Sequence, residues 1–112
     1  YVQCGPSGTR WLQGVTPVVT PNFRLALAVL SVSRAVVTTE GGVHHGAAAV
    51  GTPAVVIFGG FISPEVTGYA GHKNLFVGAG LGCGIRSDCE HCQSSMVKIT
   101  PAMVLEKLKE IL

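Results

Sequence analysis

The run from Thr38 to Gly60, TTEGGVHHGAAAVGTPAVVIFGG, leaves few folds open to this chain. Its last part, Ala54–Phe58, is apolar with no alternation, the pattern of a strand covered on both faces. Ahead of it, Val43–Val50 is rich in small helix formers, and Gly51 stands where a helix C-terminus ends in a left-handed residue. Ahead of that, Ala35–Thr38 is β-branched and extended. Strand, helix and strand at this spacing predict two parallel strands joined by a right-handed crossover. The expected fold class is therefore α/β, a Rossmann-like parallel sheet with flanking helices.

The flanking sequence extends the pattern. Tyr1–Cys4 reads as a short strand, residues 5–14 as turn chemistry, and Val18-Val19 as a weak strand or extended link. Asn22 is placed to cap a helix whose Phe23, Ala26, Leu27 and Leu30 recur at helical spacing and predict one buried face. Pro64–Gly68 predicts a single helical turn and Asn74–Val77 a short strand. Residues 78–95, rich in glycine, cysteine and serine, are expected to be irregular. Thr100 and Pro101 open a closing helix over 101–112, with Met103, Val104, Leu108 and Ile111 inward and Glu106, Lys107, Lys109 and Glu110 toward water. The whole of 1–112 is expected to be one domain. Because it begins at Tyr1 inside a strand, it is expected to be a fragment of a longer chain.

Charge narrows the partners. Net charge is only +2 and the eight basic residues are scattered, so the clustered footprint of a nucleic-acid binder is missing. Neither a signal peptide nor a transmembrane helix is expected. Four cysteines in a glycine-rich α/β sequence suit a reducing, cytoplasmic setting better than a disulfide scaffold.

The polar residues between the central strands are the candidate site. Glu40 follows a strand directly, where a carboxylate can accept from the two hydroxyls of a ribose. Gly41 and Gly42 permit a sharp turn and close backbone approach. The N–H groups of Val43, His44 and His45 are expected to be free donors at a helix start, suited to a phosphate. Of the two histidines, His45 is expected to face inward and His44 outward. The second loop, with Gly59, Gly60 and Ser63, follows the neighbouring strand and is expected to touch a diphosphate or its sugar. Gly5–Thr9 is too short for a Walker A loop and lacks its lysine.

Taken in order, these segments resemble the C-terminal half of glycosyltransferase family 9, the lipopolysaccharide heptosyltransferase type. The resemblance rests on Tyr1–Gly5, the helix from Asn22, Glu40-Gly41-Gly42-Val43-His44-His45, Gly51-Thr52-Pro53, Ala54–Phe58, Gly59 and Pro64. It covers residues 1–77 well and 97–112 loosely. Glu40 stands where those enzymes carry aspartate, and Gly41 where they often carry threonine or serine. The resemblance implies one half of a GT-B glycosyltransferase. The site Glu40, Gly41, Gly42, Val43, His45, Gly59, Gly60 and Ser63 would bind a nucleoside-diphosphate sugar such as ADP-heptose. Transfer would proceed with inversion onto a lipopolysaccharide or related acceptor, lipid-linked or glycan. The base is expected in an N-terminal half outside this chain, so no catalytic residue is assigned and the fragment is expected to be inactive alone. No cofactor is implied. The full-length enzyme is expected in the bacterial cytoplasm, peripheral at the inner membrane, and the fragment is expected to self-associate through an exposed apolar face.

Cys83, Cys89 and Cys92 give C-x5-C-x2-C with His91 between the last two. Three thiolates and an imidazole make a zinc ligand set. His91, adjacent to Cys92, is a strained fourth ligand by spacing, and Cys4 is remote, so free or packed thiols are expected and no metal is assigned. Two alternatives to the transferase stay open: a non-catalytic nucleotide- or anion-binding α/β domain, and a small zinc-stabilised interaction module.

Overall fold

A computed structural model describes residues 1–78 and 82–112. In chain order the elements are β1 (Val2–Gly5), β2 (Thr16–Val19), α1 (Phe23–Ser31), β3 (Val36–Thr39), α2 (Gly42–Ala49), β4 (Ala54–Phe58), α3 (Pro64–Thr67), β5 (Lys73–Phe76), α4 (Glu90–Val97) and α5 (Pro101–Ile111). Every strand pairing is parallel. The α/β class with flanking helices is as expected.

The strands form two ladders: β1–β2, and β3–β4–β5 with β4 in the centre. Between them lies an apolar cavity of about 580 Å³, lined by Val2, Cys4, Leu30, Val36, Leu108 and Leu112 among others. The central position of β4 explains its unbroken apolar sequence. Ala54, Val55, Val56 and Phe58 are fully buried, and Leu30 and Ala47 pack into the same core. Registers of Val36 on Ala54 and Val55 on Lys73 bring the C-terminal ends of β3 and β4 side by side. The loops after these strands are thereby neighbours.

The helix starts follow their caps. Asn22 accepts from the Leu25 N–H at 3.0 Å, and Thr100 from that of Met103 at 3.3 Å. In α1, Ala26 and Leu30 are buried, whereas Phe23, expected inside, is 52% exposed. It sits in the first turn, and its ring leans against α2 near Gly46. Gly46 keeps α2 close to α1, since a Cβ there would lie 2.8 Å from Leu27 and 3.1 Å from Phe23. Thr52 ties the two helices to β4 by donating its hydroxyl to the Leu30 carbonyl at 2.7 Å. Helix α5 rests on β4 and β5, and its Glu110 meets Lys73 at 3.0 Å and Lys107 at 2.6 Å. Lys107, expected in water, is half-buried along with Met103, Val104, Leu108 and Ile111.

One helix departs from expectation. Residues 90–97, most of them inside the segment 78–95 read as irregular, form α4. Residues 79–81 of that segment lie outside the described residues. Helix α4 escapes a periodicity reading because it lacks an apolar stripe: its one buried residue is Ser95.

Candidate functional site

Glu40 continues the β3–β4 ladder through its own N–H, which donates to the Ile57 carbonyl at 2.9 Å. The backbone then turns at Gly41, whose φ of +147° is a conformation that favours glycine. Among the described residues, nothing beyond its chain neighbours lies within 4 Å of where a Cβ would stand on Gly41, so this flank of the turn is open. Helix α2 begins at once, one residue earlier than expected. The His45 N–H is therefore already used, donating to the Gly41 carbonyl at 3.3 Å. The donors without a partner among the described residues are those of Gly42, Val43 and His44. They carry the positive end of the helix dipole. One carboxylate oxygen of Glu40 lies within 4.8 Å of a ring nitrogen of both His44 and His45, so the acid and the helix start converge.

The two histidines are the reverse of the expectation. His44 is fully buried and His45 is exposed. With the helix starting at Gly42, His44 shares the inward face with Ala47, one turn on, and His45 points outward with Ala49. The His44 ring is held at both nitrogens. Gly41 N–H donates to Nδ1 at 3.2 Å, and Nε2 lies 2.9 Å from the Thr67 carbonyl at the end of α3. A carbonyl only accepts, so Nε2 carries the proton and Nδ1 is the acceptor. The ring completes half of a capping box, and neither nitrogen is left for a metal or a ligand. His45 Nδ1 lies 2.9 Å from the Tyr69 hydroxyl, which leaves Nε2 as its free nitrogen.

Tyr69 and His72 join these rings, and neither was marked by the sequence. His44 is 5.4 Å from Tyr69 and 6.1 Å from His72, centre to centre. His72 is buried, and its Nδ1 has no partner among the described residues. Burial, and then the neighbouring His44, hold the His72 imidazole below its ordinary 6.5, against an opposing bond to the Thr52 backbone. The two residues sit in a polar, glycine-containing stretch whose spacing gives no hint that it folds back on α2.

The second loop is partly covered. Ser63 is buried and its hydroxyl accepts from the Glu65 N–H at 3.1 Å, capping α3. Gly60 is buried beneath α4: a Cβ on it would lie 2.6 Å from His91 Nδ1 and 2.9 Å from the Cys92 backbone. Gly59 is half-buried, with the Met96 methyl as its neighbour. Phe61 borders a shallow open cleft with Ile85, Arg86, Ser87, Asp88 and Cys92. Over this loop the late cysteines gather. Cys83 Sγ is 3.2 Å from Cys92 Sγ and 3.9 Å from Cys89 Sγ. The Cys83 contact pushes the Cys92 thiol up to about 12, while N–H groups of Cys92 and then His91 draw Cys89 down. Cys4 lies apart from this group, in β1.

Among the described residues no helix is long and apolar enough to cross a membrane. A family model described as glycosyltransferase family 9 (heptosyltransferase) matches residues 16–99. The match omits β1 and all of α5, and it includes the cysteine segment. No curated protein and no solved structure gives a significant match.

Proposed function

The chain belongs to glycosyltransferase family 9, and we propose that it is the donor-binding half of such an enzyme. The observation that carries this reading is the Glu40 carboxylate within 4.8 Å of ring nitrogens of His44 and His45 at the start of α2, where the N–H groups of Gly42, Val43 and His44 have no partner among the described residues, beside an open glycine flank. In this proposal Glu40 accepts from the ribose hydroxyls of a nucleoside-diphosphate sugar. The helix start binds the diphosphate, with Gly41 giving room and the free His45 nitrogen at the rim. Gly59 contributes from the second loop, whereas Gly60 and Ser63 act from beneath by shaping it.

The proposed reaction is a single displacement. An acceptor oxygen bonds to the anomeric carbon as the bond to the diphosphate oxygen breaks, which inverts the centre. Negative charge builds on the departing diphosphate, and fixed helix-start donors stabilise it more in the transition state than in the ground state. Heptose on an adenosine diphosphate is the proposed donor, and a lipopolysaccharide or related glycan the proposed acceptor. The base that takes the acceptor's proton is assigned to a second, N-terminal half, so this chain alone binds donor without turnover. Such a donor pool would place the enzyme in the bacterial cytoplasm.

Thermal shift or calorimetry with a panel of nucleoside diphosphates and their sugars tests the reading. One nucleotide should stabilise the protein saturably, by about 2.7 kcal/mol at a hundredfold excess over Kd. Glu40→Ala should weaken that binding about 10- to 100-fold, since bonds to a charged group are worth ~1.5–3 kcal/mol. Absence of any saturable shift, or unchanged affinity in Glu40→Ala, would overturn it.

A further inference from the structure

Helix α4 poses a question of what holds it in place. At eight residues it is too short to be stable alone. It buries no apolar side chain: Met96 is 40% and Val97 77% exposed. The segment before it, from Gly84 to Asp88, is exposed throughout. Hydrophobic burial does not account for the order of 82–97, so another bond must anchor it.

The cysteines supply the ligands of such an anchor. One ligand atom from each of Cys83, Cys89, His91 and Cys92 lies within 4.8 Å of all the others. Bonds of about 2.3 Å at tetrahedral angles place sulfurs about 3.8 Å apart; Cys83 and Cys89 already stand at 3.9 Å, and the 3.2 Å between Cys83 and Cys92 would have to open by about 0.6 Å around an ion. The backbone is arranged around the sulfurs. Cys83 sits between Gly82 at φ +96° and Gly84 at φ +65°, a tight turn that turns the thiol toward α4. The Ile85 N–H points at Cys83 Sγ from 3.5 Å. Cys89 is the N-cap of α4, and Cys92, three residues on, lies above it on the same face. The objection that His91 is too near its neighbours does not hold in three dimensions, because Cys83 arrives from a separate turn and closes the set.

We propose that Cys83, Cys89, His91 and Cys92 hold one zinc ion that fixes α4 over the loop after β4. Three thiolates and one imidazole fill a tetrahedron and leave no open position, so the ion is structural. Zinc rather than a hard cation follows from the sulfur donors. The two backbone bonds from Cys83 N–H to the Gly60 carbonyl and from Gly84 N–H to the Phe61 carbonyl, both 2.9 Å, join the staple to that loop.

Elemental analysis of the protein purified under reducing conditions should give one zinc per chain. Cobalt(II) exchanged into the site should show thiolate charge transfer and a tetrahedral ligand-field spectrum. Cys83→Ser and Cys92→Ser should lose the metal, and His91→Ala should keep a weaker site with an altered cobalt spectrum. Competition of the unmutated protein against a chromophoric chelator gives the affinity even where the serine variants do not fold. No bound metal in the reduced protein would overturn the proposal. So would stoichiometric iron in place of zinc, a Cys83–Cys92 disulfide with no metal, or full metal content in both Cys83→Ser and Cys92→Ser.

Discussion

The imidazole of His44 bonds the amide that opens one helix and the carbonyl that closes another turn, and it does so with no access to water. His44→Ala would leave both part-buried backbone groups without this partner and open a void beside Phe58. The expected loss is about 2–4 kcal/mol in chemical denaturation. His44→Gln should recover part of it, because an amide keeps one donor and one acceptor. His72 adds a pH dependence. Its folded value lies below 6.5, so the unfolded chain binds the proton more readily. The stability it contributes is complete above 6.5 and is lost as pH falls from there through the folded value. Melting temperature should drop on that acid side, and the drop should shrink in His72→Gln. The place of Glu40 directly after a strand was readable, because it follows from the end of the β-branched run that forms β3. The histidine orientations were not, because a one-residue change in where a helix starts turns each side chain by about 100°.

At the scale of elements, Gly82 sets how closely the late turn can approach the loop after β4. A Cβ on Gly82 would collide with the backbone of Phe61 and Ile62, and φ there is +96°. Gly82→Ala should destabilise the protein by about 2–4 kcal/mol, combining the left-handed penalty with overpacking. Thermal unfolding reads this directly, and the zinc content of Gly82→Ala should fall with it. Elements with strong local signals were legible in the sequence: the caps at Asn22 and Thr100, the apolar run of β4, and Gly51 after α2. Helix α4 was not, because its order depends on contacts between residues far apart in the chain rather than on a periodic apolar face. The burial of Gly60 was hidden for the same reason, since only the helix laid over it makes that glycine necessary.

For the whole molecule, the division into two parallel ladders predicts uneven stability. Strand β4 is enclosed on both faces and flanked by two strands. Among the described residues, strands β1 and β2 pair only with each other, and Val2 and Val19 are more than half exposed. Hydrogen exchange should therefore be slowest in 54–58 and markedly faster in 2–5 and 16–19. Equal protection of the two ladders would count against this division. The sequence spoke for a parallel sheet but not for its division, because the cavity between the ladders arises where side chains from distant segments fail to meet.

The cover over Gly60 comes from residues made long after it. On a ribosome, β3 and β4 would emerge and could pair while the loop that follows them still lay bare. Only after position 92 had left the exit tunnel could that loop be enclosed. Synthesis that stopped short of this point would leave a partly built protein with its central strands formed and the loop after β4 uncovered, a natural target for quality-control proteases.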